Sequence, residues 1–200
     1  MLVFWKPRLV FLATPKTGTT AVAAALESLA AVVIQRPPTL KHTTVHRYHR
    51  FLHPYLHAAS GGSFSVVAMI REPRDWLGSW YRFRQRDGVT ETQESTAHVS
   101  FDEFVQAYCR EDRPEFANVG SQEKFLRPRQ GNWLDLLFRY EDITAFVHFL
   151  EEKLDCEIIL PRLNVSPVGS LDLSAETESL LRRFAAKDFE MYHTLRPCAG

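Results

Sequence analysis

The stretch Leu9-Val10-Phe11-Leu12-Ala13-Thr14-Pro15-Lys16-Thr17-Gly18-Thr19-Thr20-Ala21-Val22-Ala23-Ala24-Ala25-Leu26 passes from an apolar run, through a proline, lysine, glycine and threonine loop, into a run of alanines. Residues 8–14 read as a buried strand, short, apolar and ended by Pro15. Residues 19–31 read as a helix on their alanine and leucine content. A strand, a short Gly/Thr loop and a helix N-terminus together hold an anion. The first-turn N–H groups have no intrahelical partner, and the helix dipole adds partial positive charge there. Lys16 adds a mobile full charge, and the threonine hydroxyls can donate as well.

Working outward, Val32-Val33-Ile34 is a β-branched run that reads as the second strand, and Pro37-Pro38 forbids regular structure after it. Residues 44–58 look helical, with Pro54 as a kink or boundary. Ser60-Gly61-Gly62-Ser63 is a turn, and Phe64 to Ile70 is the clearest strand after the first. Residues 74–86 follow as a helix rich in aromatics and arginines, and the polar, aperiodic stretch Asp87 to His98 reads as a mobile loop. Ser100 with Glu103 resembles a capping box. Leu134 to Phe138 fits a strand, residues 142–154 a helix, and Ser174 to Leu195 one long helix with Leu181, Ala185, Phe189 and Tyr192 on a stripe. Strands alternating with helices imply an α/β architecture, three-layered, with a mainly parallel central sheet flanked by helices. In such sheets ligands bind beyond the carboxyl ends of the strands, where the loops at 15–20 and 71–75 belong.

Two hundred residues suit a single domain over 1–200, and no linker or internal repeat interrupts them. Apolar content of 45% with 24% charged residues is that of a soluble globular protein. The net charge of zero argues against a nucleic-acid binder, so an anion site must be a local cluster. Cys109, Cys156 and Cys198 show no metal-ligand spacing and read as reduced thiols. No signal peptide or membrane-spanning run is evident, so the expectation is a cytoplasmic protein without a membrane partner.

A nucleoside-triphosphate loop needs GxxxxGK[ST], whereas here Lys16 precedes Gly18 and Ala13 stands near where the first glycine would be. Asp142 could hold Mg²⁺ but reads more naturally as a helix N-cap. The spacing Pro15-Lys16-Thr17-Gly18-Thr19-Thr20 after a first strand instead resembles the 5′-phosphosulfate loop of the sulfotransferase family. A second segment agrees: Val66-Val67-Ala68-Met69-Ile70, then Arg71-Glu72-Pro73, then Ser79 eight residues after the arginine, resembles the family's 3′-phosphate segment. Arg71 can fork two N–H groups onto phosphate oxygens, and Ser79 can offer its hydroxyl. Arg139-Tyr140-Glu141-Asp142, Asn164-Val165-Ser166-Pro167 and Lys187-Asp188-Phe189-Glu190 resemble later family segments. Ala21 stands where the cytosolic branch has an adenine-stacking tryptophan, and no Arg-Lys-Gly segment closes the chain. The pattern is thus more similar to the bacterial and carbohydrate-modifying branches.

That resemblance implies a P-loop-like sulfotransferase fold and a donor, 3′-phosphoadenosine 5′-phosphosulfate (PAPS), with no metal. It implies sulfuryl transfer to a hydroxyl of a carbohydrate or small metabolite. Lys16 would serve the leaving oxygen, and Lys16, Thr17, Gly18, Thr19 and Thr20 would cradle the 5′-phosphate. Arg71 and Ser79 would hold the 3′-phosphate. His42 is the first choice of general base, since an imidazole titrates near neutrality, with Glu72 and Glu141 as other candidates and Lys41 as support for the sulfuryl oxygens. His42, His46, His49, His53 and His57 share one broad helical face, which reads as a partly solvated surface; zinc on His42 and His46 lacks completing ligands nearby. Arg74, Arg82, Arg84 and Arg86 read as a solvated face. A nucleotide kinase or NTPase, and a non-catalytic nucleotide-binding protein on the same fold, are the alternatives. The acceptor and the oligomeric state are not legible.

Overall fold

Alternation of short β-branched or aromatic runs with alanine- and leucine-rich ones produces fifteen principal elements in the computed structural model, which describes residues 1–86, 88–127, 134–161 and 170–195. In chain order they are β1 (Leu2–Phe4), β2 (Leu9–Leu12), α1 (Thr19–Leu26), β3 (Val32–Val33), α2 (Pro38–Lys41), α3 (Val45–Arg47), α4 (His53–Ser60), β4 (Ser65–Ile70), α5 (Pro73–Phe83), α6 (Phe101–Tyr108), α7 (Gln122–Leu126), β5 (Leu136–Arg139), α8 (Ile143–Leu154), α9 (Ala175–Phe184) and α10 (Ala186–Thr194). They fall into two compact units. One comprises Met1–Arg71, Gln122–Leu163 and Leu195–Gly200, the other Glu72–Ser121 and Asn164–Thr194. Cys198 and the segment Asn164-Val165-Ser166-Pro167 lie outside the described residues.

The first unit is α/β, with a five-stranded mixed sheet in the order β3-β1-β2-β4-β5 flanked by helices. β2, β4 and β5 run parallel, with Leu12 opposite Ala68 and Ile70 opposite Arg139. β1, which sequence patterning does not reveal, runs antiparallel to both β2 and β3. The expected second strand is therefore β3 at the sheet edge, separated from β2 by β1. Alternate residues Phe4, Leu9, Phe11, Val67 and Met69 join Val22 and Leu26 of α1 and Phe146 and Leu150 of α8 in one core. Val10, Leu12, Val66, Ala68 and Ile70 on the opposite side chain set are equally buried. That double burial explains why β4 reads as an unbroken apolar run. Residues 45–60 are helical with a π-helical turn at Tyr48–Leu52, and Pro54 falls in the first turn of α4, where proline is tolerated. Pro38 likewise opens α2 rather than excluding structure.

The second unit has its own core, in which Trp76, Leu77 and Tyr81 of α5 meet Phe104 and Val105 of α6 and Leu181 and Phe189 of α9 and α10. The capping box is present: Glu103 N–H donates to Ser100 Oγ at 3.2 Å, and Ser100 N–H donates to Glu103 Oε2 at 2.7 Å. The expected long terminal helix is two helices, broken at Ala185 (φ −97°, ψ 24°), although Leu181, Ala185 and Phe189 share the core as the stripe implies. The described part of 87–98 is a run of turns tied down by Thr96, which is 0% exposed and donates through Oγ1 to Tyr81 C=O at 2.7 Å. Arg84 is not on a solvated face either. It is buried, donates to Glu115 C=O at 2.5 Å and lies 5.6 Å from the centre of the Trp80 ring.

Candidate functional site

The loop after β2 is a tight, internally tied structure. Thr17 is buried and its Oγ1 donates to the Thr14 carbonyl at 3.0 Å. Lys16 (φ 65°) and Gly18 (φ 68°) both take left-handed backbone, which costs a lysine and suits a glycine. Gly18 occupies the N-cap of α1, and no side chain caps that helix. A threonine-capped strand–helix turn would have spent a hydroxyl on the first-turn N–H groups; here no side chain does so, and Ala21 N–H and Val22 N–H donate to Gly18 C=O at 3.0 and 3.3 Å. Thr19 is buried and Thr20 exposed. A Cβ on Gly18 would stand 2.9 Å from Tyr140 Cε2, so the glycine also permits a close approach of the ring.

Three cationic side chains of this unit, all half-buried, gather on the loop. Lys16 is part of it. Lys41, the last residue of α2, donates from Nζ to Thr20 Oγ1 at 3.1 Å. Arg71, the first residue past β4, donates from Nη1 to the Lys16 carbonyl at 3.1 Å, and its guanidinium lies 4.6 Å from the centre of the Tyr140 ring. The main chain of Arg71 is held by Gln122, which is 1% exposed: Arg71 N–H donates to Oε1 at 2.9 Å, and Nε2 donates to Arg71 C=O at 2.8 Å. Charge is segregated along the chain despite the zero total. Residues 1–71 carry eight Lys and Arg against one carboxylate, Glu27.

His42 follows Lys41 directly. Its Nδ1 lies 2.7 Å from the Ala13 carbonyl, at the end of β2. A carbonyl only accepts, so Nδ1 carries the proton and Nε2 is left as the basic nitrogen. Burial holds the His42 pKa below its ordinary value, with Lys41 and Lys16 adding to the effect and the Ala13 hydrogen bond opposing it. Burial also lowers the Lys41 pKa. His42 is thus a neutral imidazole of fixed tautomer beside two lysines.

Of the residues singled out by sequence, Lys16, Thr17, Gly18, Thr19, Thr20, His42 and Arg71 belong to this one unit, whereas Ser79 belongs to the second, buried on α5. Glu72 N-caps α5, its Oε2 accepting from Asp75 N–H at 2.8 Å, a structural use that weakens its case as a base. Asp142 occupies the N-cap position of α8, as expected, and makes no side-chain capping bond there. His49, His53 and His57 form a ring ladder, with centroids 5.3 and 5.7 Å apart. Among the described residues no cluster of three or more His, Cys, Asp or Glu side chains could hold a metal ion. Nor is any described helix long and apolar enough to cross a membrane. Sequence reasoning missed two site residues. Tyr140 was visible only within a longer resemblance, and Gln122 belongs to no motif. No protein-family model matches the chain, and a search of curated proteins finds no match either.

Proposed function

We propose that the chain is a PAPS-dependent sulfotransferase acting on a hydroxyl of a carbohydrate or small metabolite. One observation carries the reading: Arg71, from the second phosphate-type segment, reaches the loop of the first and donates to Lys16 C=O at 3.1 Å. A ligand phosphorylated at both ends of one nucleoside needs two such anion-holding segments side by side. In the proposed reaction an acceptor oxygen attacks sulfur, the new O–S bond forms, and the bond from sulfur to the bridging phosphate oxygen breaks. The acceptor proton passes to His42 Nε2, and the leaving bisphosphate carries the electron pair. By analogy with phosphoryl transfer, positioning and charge stabilisation supply most of the rate. Lys16 follows the charge growing on the leaving oxygen, and the uncapped start of α1 receives the 5′-phosphate. Lys41, which donates to Thr20 Oγ1, supports the sulfuryl oxygens in this reading.

A thermal-shift comparison of adenosine 3′,5′-bisphosphate with ATP·Mg²⁺ tests the reading. A ligand of the folded state at 100 times its dissociation constant stabilises by about 2.7 kcal/mol. The bisphosphate is expected to raise Tm without magnesium. Stabilisation by ATP·Mg²⁺ alone would overturn the proposal in favour of a kinase or NTPase. Bisphosphate binding without transfer from labelled PAPS to any acceptor class would favour a non-catalytic nucleotide-binding protein.

A further inference from the structure

β4 runs out of neighbours at the point where Arg71 is needed. Its last pair with β2 is Ala68 with Leu12, and its last pair with β5 is Ile70 with Arg139. Arg71 lies three residues beyond the first pair and one beyond the second, and Pro73 two residues on has no N–H. Past these pairs the register of the sheet no longer sets the direction of the Arg71 Cα–Cβ bond. Gln122 replaces the missing strand. Its amide accepts from Arg71 N–H at 2.9 Å and donates to Arg71 C=O at 2.8 Å, the two-bond exchange that an antiparallel neighbour would make. The amide is placed rigidly: Gln122 is 1% exposed at the start of α7, which buries Phe125 and Leu126. Beyond the main chain, the guanidinium touches the Lys16 carbonyl and the face of Tyr140. The backbone, and then the planar head, are therefore both held before any ligand arrives.

We propose that Gln122 is a positioning residue that fixes the direction of Arg71 and so sets the preference for a nucleotide carrying a 3′-phosphate over one without it. The inference rests on the donor reading above, and it concerns selectivity rather than chemistry. A guanidinium grips phosphate through two parallel N–H···O bonds only when its plane is aligned, so the benefit of holding Arg71 appears in 3′-phosphate binding. A glutamine that merely filled a polar gap would, when replaced, weaken all nucleotides alike.

The test is isothermal calorimetry with adenosine 3′,5′-bisphosphate and with 5′-AMP on the wild-type chain, Gln122→Met and Gln122→Asn. Methionine keeps the volume and removes both hydrogen bonds; asparagine keeps the amide on a stem too short to span both groups. The expected result is a wild-type preference for the bisphosphate that falls roughly tenfold in both variants, about one charged hydrogen bond, with 5′-AMP affinity changed less than about twofold. An unchanged preference in a folded variant would overturn the role of Gln122 and leave the donor reading intact. A wild-type chain with no preference for the bisphosphate would overturn the donor reading and this inference together. Should both variants fail to fold, amide hydrogen exchange on the wild type decides. The Arg71 amide should be protected and slowed further by the bisphosphate but not by 5′-AMP, whereas exchange at an open-loop rate would refute the clamp.

Discussion

The proposed reaction makes His42 the base and Lys16 the charge beside it, and the His42 environment can be read in a pH titration. Its folded pKa lies below the ordinary 6.5 because of burial, then Lys41 and Lys16. Turnover that uses neutral His42 should persist below pH 6.5, so the acid limb of kcat/KM, which reports the free enzyme, falls below that value. The sign for stability is the same. Between the lowered folded pKa and the unfolded one, the unfolded chain binds more protons, so stability is full above the unfolded value and declines as pH falls beneath it. Urea unfolding of the wild type and His42→Ala should show that decline reduced in the variant. An acid limb at or above 6.5, or full turnover in His42→Ala, would exclude it as the base. The sequence could nominate His42 by residue type and place. The tautomer was out of reach, since it depends on the Ala13 carbonyl of a distant strand end. Gln122 was wholly illegible for the same reason: its partner, Arg71, is 51 residues away and no spacing links them.

The β2–loop–α1 element depends on one backbone conformation and one close approach, both at Gly18. An alanine there would carry a left-handed φ of 68° and place its Cβ 2.9 Å from the Tyr140 ring, which itself lies against the Arg71 guanidinium. The strain alone is worth roughly 1–2 kcal/mol. Gly18→Ala should therefore lose about 1–3 kcal/mol in urea unfolding and weaken adenosine 3′,5′-bisphosphate binding, because the ring cannot yield without leaving Arg71. Wild-type stability with wild-type affinity in this variant would contradict the proposed geometry. At this scale the sequence was most informative where elements are long or buried on both sides. β4 and α8 were legible because apolar runs and helical periodicity average over many residues. β1 was not, since it is three residues long and gains its place only by pairing with β2 and β3. The break at Ala185 was equally hidden, because the apolar stripe runs through it without interruption.

Zero net charge conceals how unevenly the chain distributes its charges. The eight Lys and Arg of residues 1–71 face a single carboxylate in that stretch, and Lys16, Lys41 and Arg71 are among them. The remainder of the chain restores the balance, so a global field gives no general affinity for polyanions, while the α/β unit holds a local excess at one loop. Composition alone could say only that an anion site must be local; the loop motif pointed to residues 15–20, and the structure adds Lys41 reaching Thr20 and Arg71 reaching Lys16. A local cluster of half-buried cations has a recognisable salt signature. Raising ionic strength from about 0.1 M to about 1 M shortens the screening length from about 10 Å to about 3 Å, which weakens attraction at partly exposed charges. The dissociation constant of adenosine 3′,5′-bisphosphate should rise by about an order of magnitude over that range, and that of 5′-AMP by less, since fewer phosphate charges are engaged. Calorimetry in sodium chloride against both nucleotides provides the measurement. Equal, salt-independent affinities would mean that the basic cluster does not bind the phosphates, and would remove the electrostatic basis of the proposed donor site.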